Sequence, residues 1–350
     1  MAEGVPRIYL HIGRNKAGST SLQDFFLAER EALAAAGLRY CLFGHLKDSA
    51  PGVLGFETQF ELAAHANTGT ERAYLVSNEF LFGWPREYTD SMVAGLAGFD
   101  LRVIAYIRPY GAWVCSAYAE EVKKGWNSRD FDRYLDWLGP RISAWPYLQG
   151  WGEALGWDRV RVRSIDPRDL DGGELIGDCL SALDLDPALA RGTIRSNRAP
   201  DWPVLEMLRA LVDADNEIGW SEAARRVAEP LQALMEDCLA KAPVPPADYL
   251  TAEQARGLAD LYNRDLDCLA EWTGVRLQPE RPSGRTRAAL PGFDRIPMAL
   301  LRQWARRASA PDFRNAHPEA TATAERLMSG YRRPPRRWLG GVLARFGITG

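Results

Sequence analysis

Residues 7–26 read RIYLHIGRNKAGSTSLQDFF. A β-prone run from Ile8 to Ile12 meets a loop with two glycines, three hydroxyl residues follow, and Leu22, Phe25 and Phe26 then recur at helical spacing. Strand, glycine loop and helix in that order make a cradle for an anion. The first N–H groups of a helix lack intrahelical acceptors, and the helix dipole favours negative charge beside them. Gly13-x4-Gly18 has the glycine spacing of the nucleotide triphosphatase loop. That motif continues Gly-Lys-Ser/Thr, so that the lysine reaches the phosphates and the hydroxyl binds Mg²⁺. Here Lys16 precedes the second glycine, and Gly18 is followed by Ser19, Thr20 and Ser21. The loop therefore reads as a site for an anion contacted by amides, hydroxyls and one lysine, without a metal. Helix capping by the hydroxyls is the plainer alternative, but it accounts for neither Lys16 nor the two glycines.

Outward from this stretch, short strand patterns alternate with helical ones. Strands are predicted at 7–12, 38–43, 73–77, 101–107 and 159–163, several of them apolar on both faces as in a covered parallel sheet. Helices are predicted at 19–36, stopped by Gly37, and at 110–124, stopped by Gly125. This alternation implies an α/β fold: a doubly wound, mostly parallel sheet with a P-loop-like strand–loop–helix. Beyond residue 178 the pattern is helical, with predicted helices at 199–215, 221–241 and 251–273. The expected organisation is one α/β domain over 1–280 with a helical C-terminal half, then an Arg-rich segment over 281–350.

A second anion site is suggested by LRVIAYIRPYGAWVCSAYAEEVKKG, residues 101–125. A strand ends at Ile107, Arg108-Pro109 follows, and Ser116 lies eight residues beyond Arg108 on a predicted helix. Arginine offers a rigid fork to phosphate and serine adds a hydrogen bond. Alone, such a pair is commonplace. Its weight comes only from the resemblance that it and the first loop carry together.

The two stretches together resemble sulfotransferases that use 3′-phosphoadenosine 5′-phosphosulfate (PAPS), the bacterial, carbohydrate-type branch in particular. Lys16-Ala17-Gly18-Ser19-Thr20 is similar to that family's 5′-phosphosulfate loop, with Ala17 where a hydroxyl residue is common, and Arg108 with Ser116 is similar to its 3′-phosphate site. The likeness spans roughly residues 7–275. It implies cofactor contacts from Arg14, Asn15, Lys16, Ala17, Gly18, Ser19, Thr20, Ser21, Arg108 and Ser116, with adenosine 3′,5′-bisphosphate as product. The family's Arg-Lys-Gly cofactor loop has no clean counterpart, and the resemblance puts RGTIRSNRAP at 191–200 in its place.

Sulfuryl transfer needs in-line positioning, neutralisation of the leaving phosphate and removal of the acceptor proton. The resemblance puts Lys16 at the leaving oxygen. Glu79, just past the predicted strand 73–77 and beside Phe80, Leu81 and Phe82, is the first candidate base. His11 and His45 rank behind it, and His65 stands in a less ordered context. The acceptor would be a hydroxyl or amine of a carbohydrate, glycolipid or other small molecule. Two rival readings are a kinase or triphosphatase with a degenerate loop, and a nucleotide-binding protein without turnover.

Composition sets the bounds. The net charge of −3 gives no global field for nucleic acid. Residues 281–350 hold fourteen Arg and four acids, so this segment carries +10 and the remainder −13. Its last residues, YRRPPRRWLGGVLARFGITG, form a basic and amphipathic run suited to folding back on the acidic body, to self-association or to a membrane surface. Five dispersed cysteines without CxxC, and no leader-like N-terminus, lead to the expectation of a cytoplasmic protein with reduced thiols. The twelve tryptophans are read mainly as packing, with one or two available as an acceptor platform.

Overall fold

The computed structural model describes residues 5–41, 72–190, 201–215, 222–243, 249–282 and 295–331. His45, His65, the 191–200 stretch and the end of the basic tail lie outside them. In chain order the elements are β1 (Arg7–His11), α1 (Ser19–Ala28), α2 (Arg30–Ala35), β2 (Leu38–Tyr40), β3 (Ala73–Ser77), α3 (Arg86–Gly95), β4 (Asp100–Ile107) and α4 (Tyr110–Lys123). Then come α5 (Phe131–Leu138), α6 (Trp145–Leu155), β5 (Val160–Ser164), α7 (Leu175–Ala182), α8 (Trp202–Asp215), α9 (Glu222–Lys241) and α10 (Ala252–Thr273). The last three are α11 (Met298–Ala308), α12 (Pro311–Ala316) and α13 (Pro318–Tyr331). The chain divides into two compact units, and α4 begins in the first and ends in the second.

The first unit comprises Met1–Ala117, Gly139–Asn197 and Glu253–Ser283. It holds a five-stranded sheet in the order β2-β3-β1-β4-β5, with every pairing parallel. The fold is therefore α/β, as the alternation predicts. The central strands β1, β3 and β4 are buried on both faces, whereas edge strand β5 alternates, with Val160 and Val162 inside and Arg161 and Arg163 less covered. One core layer joins Tyr9, Leu75, Ile104 and Tyr106 of the sheet to Leu22, Phe25 and Phe26 of α1 and to Cys179, Leu180 and Leu183 around α7. Each large side chain so buried contributes roughly 1.5–3 kcal/mol. Such a layer holds α1, and with it the start of the loop's helix, against the sheet.

The predicted helix 19–36 kinks at Glu29 instead of running straight. Hydrogen bonds continue through the kink, from Glu29 N–H to the Phe25 carbonyl and from Leu33 N–H to the Glu29 carbonyl, both 2.9 Å. Tyr106 and Tyr118, which flank Arg108 and Ser116 in the sequence, are fully buried. The Tyr106 hydroxyl donates to Asp178 and the Tyr118 hydroxyl to Glu206, at 3.2 Å in the latter case.

The second unit comprises Tyr118–Leu138, Arg198–Ala252 and Gly284–Gly350. Tyr118, Phe131, Tyr134 and Tyr249 form a ring cluster with centroid spacings between 5.1 and 5.4 Å. Helices α9, α11 and α13 pack on one another; Leu231 and Met235 of α9 and Leu301 and Trp304 of α11 are buried, and the Trp304 indole N–H donates to the Leu231 carbonyl at 3.2 Å. Arg307 of the basic segment pairs with Asp237 of α9. Among the described residues no helix is long and apolar enough to cross a membrane.

Candidate active site

Strand order locates the crevice. From β1 the chain builds β2 and β3 on one side, then crosses to β4 on the other. The topological switch point thus lies between the carboxyl ends of β1 and β4, where open parallel sheets bind ligands. The loop after β1 carries Arg14 to Gly18, and the turn after β4 carries Arg108. Glu79 follows β3, the strand on the other flank of β1. All of these, with Ser116, belong to the first unit.

The loop is braced from several directions. Ile12 N–H donates to the Ile104 carbonyl and Arg14 N–H to the Tyr106 carbonyl, at 2.9 and 3.0 Å. The Trp113 indole N–H donates to the Asn15 carbonyl at 2.9 Å. Two backbone positions are left-handed, Lys16 at φ 63° and Gly18 at φ 85°. A lysine in that region costs about 1–3 kcal/mol, a strain that clusters where a loop must shape a ligand site. Gly18 suits this position through its left-handed φ, and a Cβ there would lie 2.4 Å from Leu175 Cδ2 on α7, so that Leu175 would have to shift.

The hydroxyl residues do not cap the helix. The N-cap is Gly18, and no side chain accepts a hydrogen bond at this end. The first helical bond runs from Leu22 N–H to the Gly18 carbonyl, so the N–H groups of Ser19, Thr20 and Ser21 have no intrahelical acceptor. Ser19 is buried and its Oγ has no hydrogen-bond partner among the described residues. Thr20 is exposed, Ser21 and Lys16 are half-buried, Asn15 is exposed and Ala17 is sealed inside. Hydroxyls, unbonded amides and the Lys16 backbone strain therefore coincide at one helix start, which capping does not explain.

Arg14 takes a different part. Its guanidinium is buried, donates to the carbonyls of Ile142 and Arg141 at 2.7 and 2.6 Å, and lies 3.4 Å from the ring centroid of Trp113. It ties the loop to the 139–145 segment. That segment is held by Asp265 of α10, whose Oδ2 accepts from Ser143 Oγ, Ala144 N–H and the Tyr110 hydroxyl. Sequence patterns gave no sign of this brace, because its members are separated by more than a hundred residues.

Arg108 is half-buried and donates a hydrogen bond to the Lys16 carbonyl at 3.2 Å. No carboxylate among the described residues pairs with it, and burial pulls its pKa below the ordinary arginine value. Ser116 is half-buried on α4, three residues and just under one turn beyond Trp113. The start of α4 is itself capped from afar: Glu280 accepts from the N–H groups of Tyr110 and Gly111 at 2.8 and 3.0 Å. Burial pushes the Glu280 carboxyl up, and those two backbone donors oppose the shift.

Of the candidate bases, Glu79 is half-buried and opens the short 3-10 turn Glu79–Gly83, whose Asn78 cap accepts from Phe80 N–H at 3.0 Å. Leu81 and Phe82 are buried, whereas Phe80 stands exposed. His11 is fully buried at the end of β1, and burial pushes its pKa down to about 4. Its Nδ1 lies 2.7 Å from Ser77 Oγ. An imidazole so enclosed and so weakly basic is poorly suited to take a proton at neutral pH.

No family model and no curated protein matches the chain. Among solved structures it is similar to a sulfotransferase from Alicyclobacillus acidocaldarius, at 12% identity and a TM-score of 0.42, over 78% of this chain and 98% of that one. It is also similar to mouse sulfotransferase SULT7A1 complexed with PAP, at 13% identity and a TM-score of 0.38, over 78% of this chain and 90% of that one.

Proposed function

We propose that this protein is a PAPS-dependent sulfotransferase acting on a hydroxyl or amine of a carbohydrate or other small acceptor. The observation that carries the reading is Arg108: a half-buried cation at the switch point, without a carboxylate partner among the described residues, touching the backbone of a strained, uncapped anion loop. A cation desolvated in this way is stabilised when an anion arrives. Two grips at one crevice suit a ligand with two separated anionic groups. PAPS, when bound, supplies the sulfuryl group and a bisphosphate leaving group.

The chain's own residues divide the work. The amides and hydroxyls of Ser19, Thr20 and Ser21 hold the anion at the 5′ end, and Lys16 neutralises charge at the leaving oxygen. Arg108 and Ser116 hold the 3′-phosphate. Arg14 and Trp113 keep the loop in shape, a positioning role. Glu79, at the sheet edge beyond β3, takes the acceptor proton. The dispersed cysteines without a CxxC pair carry the expectation of a reducing cytoplasm.

Isothermal calorimetry tests the reading. Adenosine 3′,5′-bisphosphate should bind with equal affinity in Mg²⁺ and in a chelator, and ATP should bind weakly. Tight ATP binding that requires Mg²⁺ would favour a kinase or triphosphatase instead.

A further inference from the structure

Two buried polar atoms near the loop have no hydrogen-bond partner among the described residues, His11 Nε2 and Ser19 Oγ. Both converge on Gly13: a Cβ built there would lie 2.7 Å from His11 Nε2 and 3.3 Å from Ser19 Oγ. The imidazole itself is fixed. Its Nδ1 meets Ser77 Oγ at 2.7 Å and its ring meets the Tyr106 ring edge-on at 5.9 Å, while the backbone carbonyl of His11 accepts from Asn78 N–H at 2.9 Å. Leaving two such atoms unsatisfied is costly, and buried orphans of this kind call for a specific partner.

We infer that His11 and Ser19 form the inner wall of the anion site, with His11 presenting Nε2–H and Ser19 presenting its hydroxyl proton to the bound anion. The inference rests on the loop holding an anion, as proposed above. The tautomer follows from the chemistry. A neutral imidazole carries one donor and one acceptor nitrogen. A lone pair at Nε2 would repel an anion, so the proton belongs there and Nδ1 accepts from the Ser77 hydroxyl. Gly13 is the residue that leaves room for this wall, because any side chain would collide with the imidazole nitrogen. His11 is then an anion-binding residue and not the proton acceptor, and the depressed basicity of its ring keeps it neutral in that duty.

Nitrogen-15 spectra of the full-length protein, with the His11 signals assigned through His11→Gln, test the assignment with inorganic pyrophosphate and with adenosine 3′,5′-bisphosphate as probes. The expected result is an Nε2-protonated neutral ring whose signals shift when either probe is added. An Nδ1-protonated ring in the bound state, or His11 signals that ignore both probes, overturns the inference. In calorimetry, His11→Phe should lose roughly ten-fold or more in pyrophosphate affinity, the scale of one hydrogen bond to a charged group. His11→Gln, whose amide nitrogen can stand where Nε2 stood, should recover most of that loss. Because His11→Phe can fail to fold, the spectra of the wild-type chain decide independently. Binding of pyrophosphate without the bisphosphate would sink the sulfotransferase reading and leave this one to the imidazole signals; binding of neither overturns both.

Discussion

Acidification should destabilise this protein through one buried imidazole. His11 is fully enclosed, and burial takes its pKa from 6.5 to about 4. In the window between those values the unfolded chain binds a proton that the folded chain refuses. Stability therefore falls as pH drops from 6.5 towards 4, and this contribution levels off below. Integrating the two titrations, the loss between pH 7.5 and pH 5 is about 2 kcal/mol. Other groups titrate as well: hydrogen bonds from Arg168 hold the Asp166 carboxyl low, and burial pushes Glu280 up. Comparison with His11→Gln cancels them, because only the imidazole is removed. The assay is urea unfolding followed by tryptophan fluorescence at pH 7.5, 6 and 5, with the slope checked for constancy. The wild-type curve should fall by about 2 kcal/mol more than the variant over that range. Parallel pH dependences for the two proteins would refute the claim that His11 is buried and neutral.

Arg108→Met should lower affinity for adenosine 3′,5′-bisphosphate by roughly ten- to a hundred-fold, the scale of a charge-assisted hydrogen bond. Affinity for adenosine 5′-phosphate should barely change, and folding stability should hold or rise, since a half-buried unpaired cation is removed. Equal loss for both nucleotides in calorimetry would make Arg108 structural. Glu79→Gln should retain bisphosphate affinity but lose about a hundred-fold or more in turnover with labelled PAPS and an acceptor found by screening; near-normal turnover would remove it as the base. Gly18→Ala should destabilise the chain by about 2–4 kcal/mol through its left-handed φ and the collision with Leu175. Adding Leu175→Ala should relieve the collision and return part of the melting temperature, and an unchanged melting temperature in the single variant would count against the tight loop–α7 approach.

Local chemistry made much of this protein legible. Short runs apolar on both faces marked β1, β3 and β4, because a covered parallel sheet buries both sides of its strands. Gly37 at φ 88° ended the first helical stretch as a glycine stop does. Two glycines, Lys16 and three hydroxyls in one loop, and Arg108 eight residues before Ser116, are signals carried within a few turns of chain. Their meaning as one crevice depended on strand order. Nothing in a sequence states that β4 lies beside β1 with β3 on the other flank, and that adjacency is what gathers the loop, Arg108 and Glu79 at one sheet edge. Tertiary packing alone decided which cations stay available: Arg14 is consumed by two carbonyls and an indole face, while Arg108 keeps no acidic partner among the described residues. It also decided that His11, an ordinary strand residue by pattern, is sealed with one nitrogen on Ser77 and the other facing Gly13 and Ser19. The physical reason is range. Propensity and periodicity are set by neighbours along the chain, whereas desolvation and hydrogen-bond satisfaction are set by whatever folding brings near, here α10, α7 and the 139–145 segment.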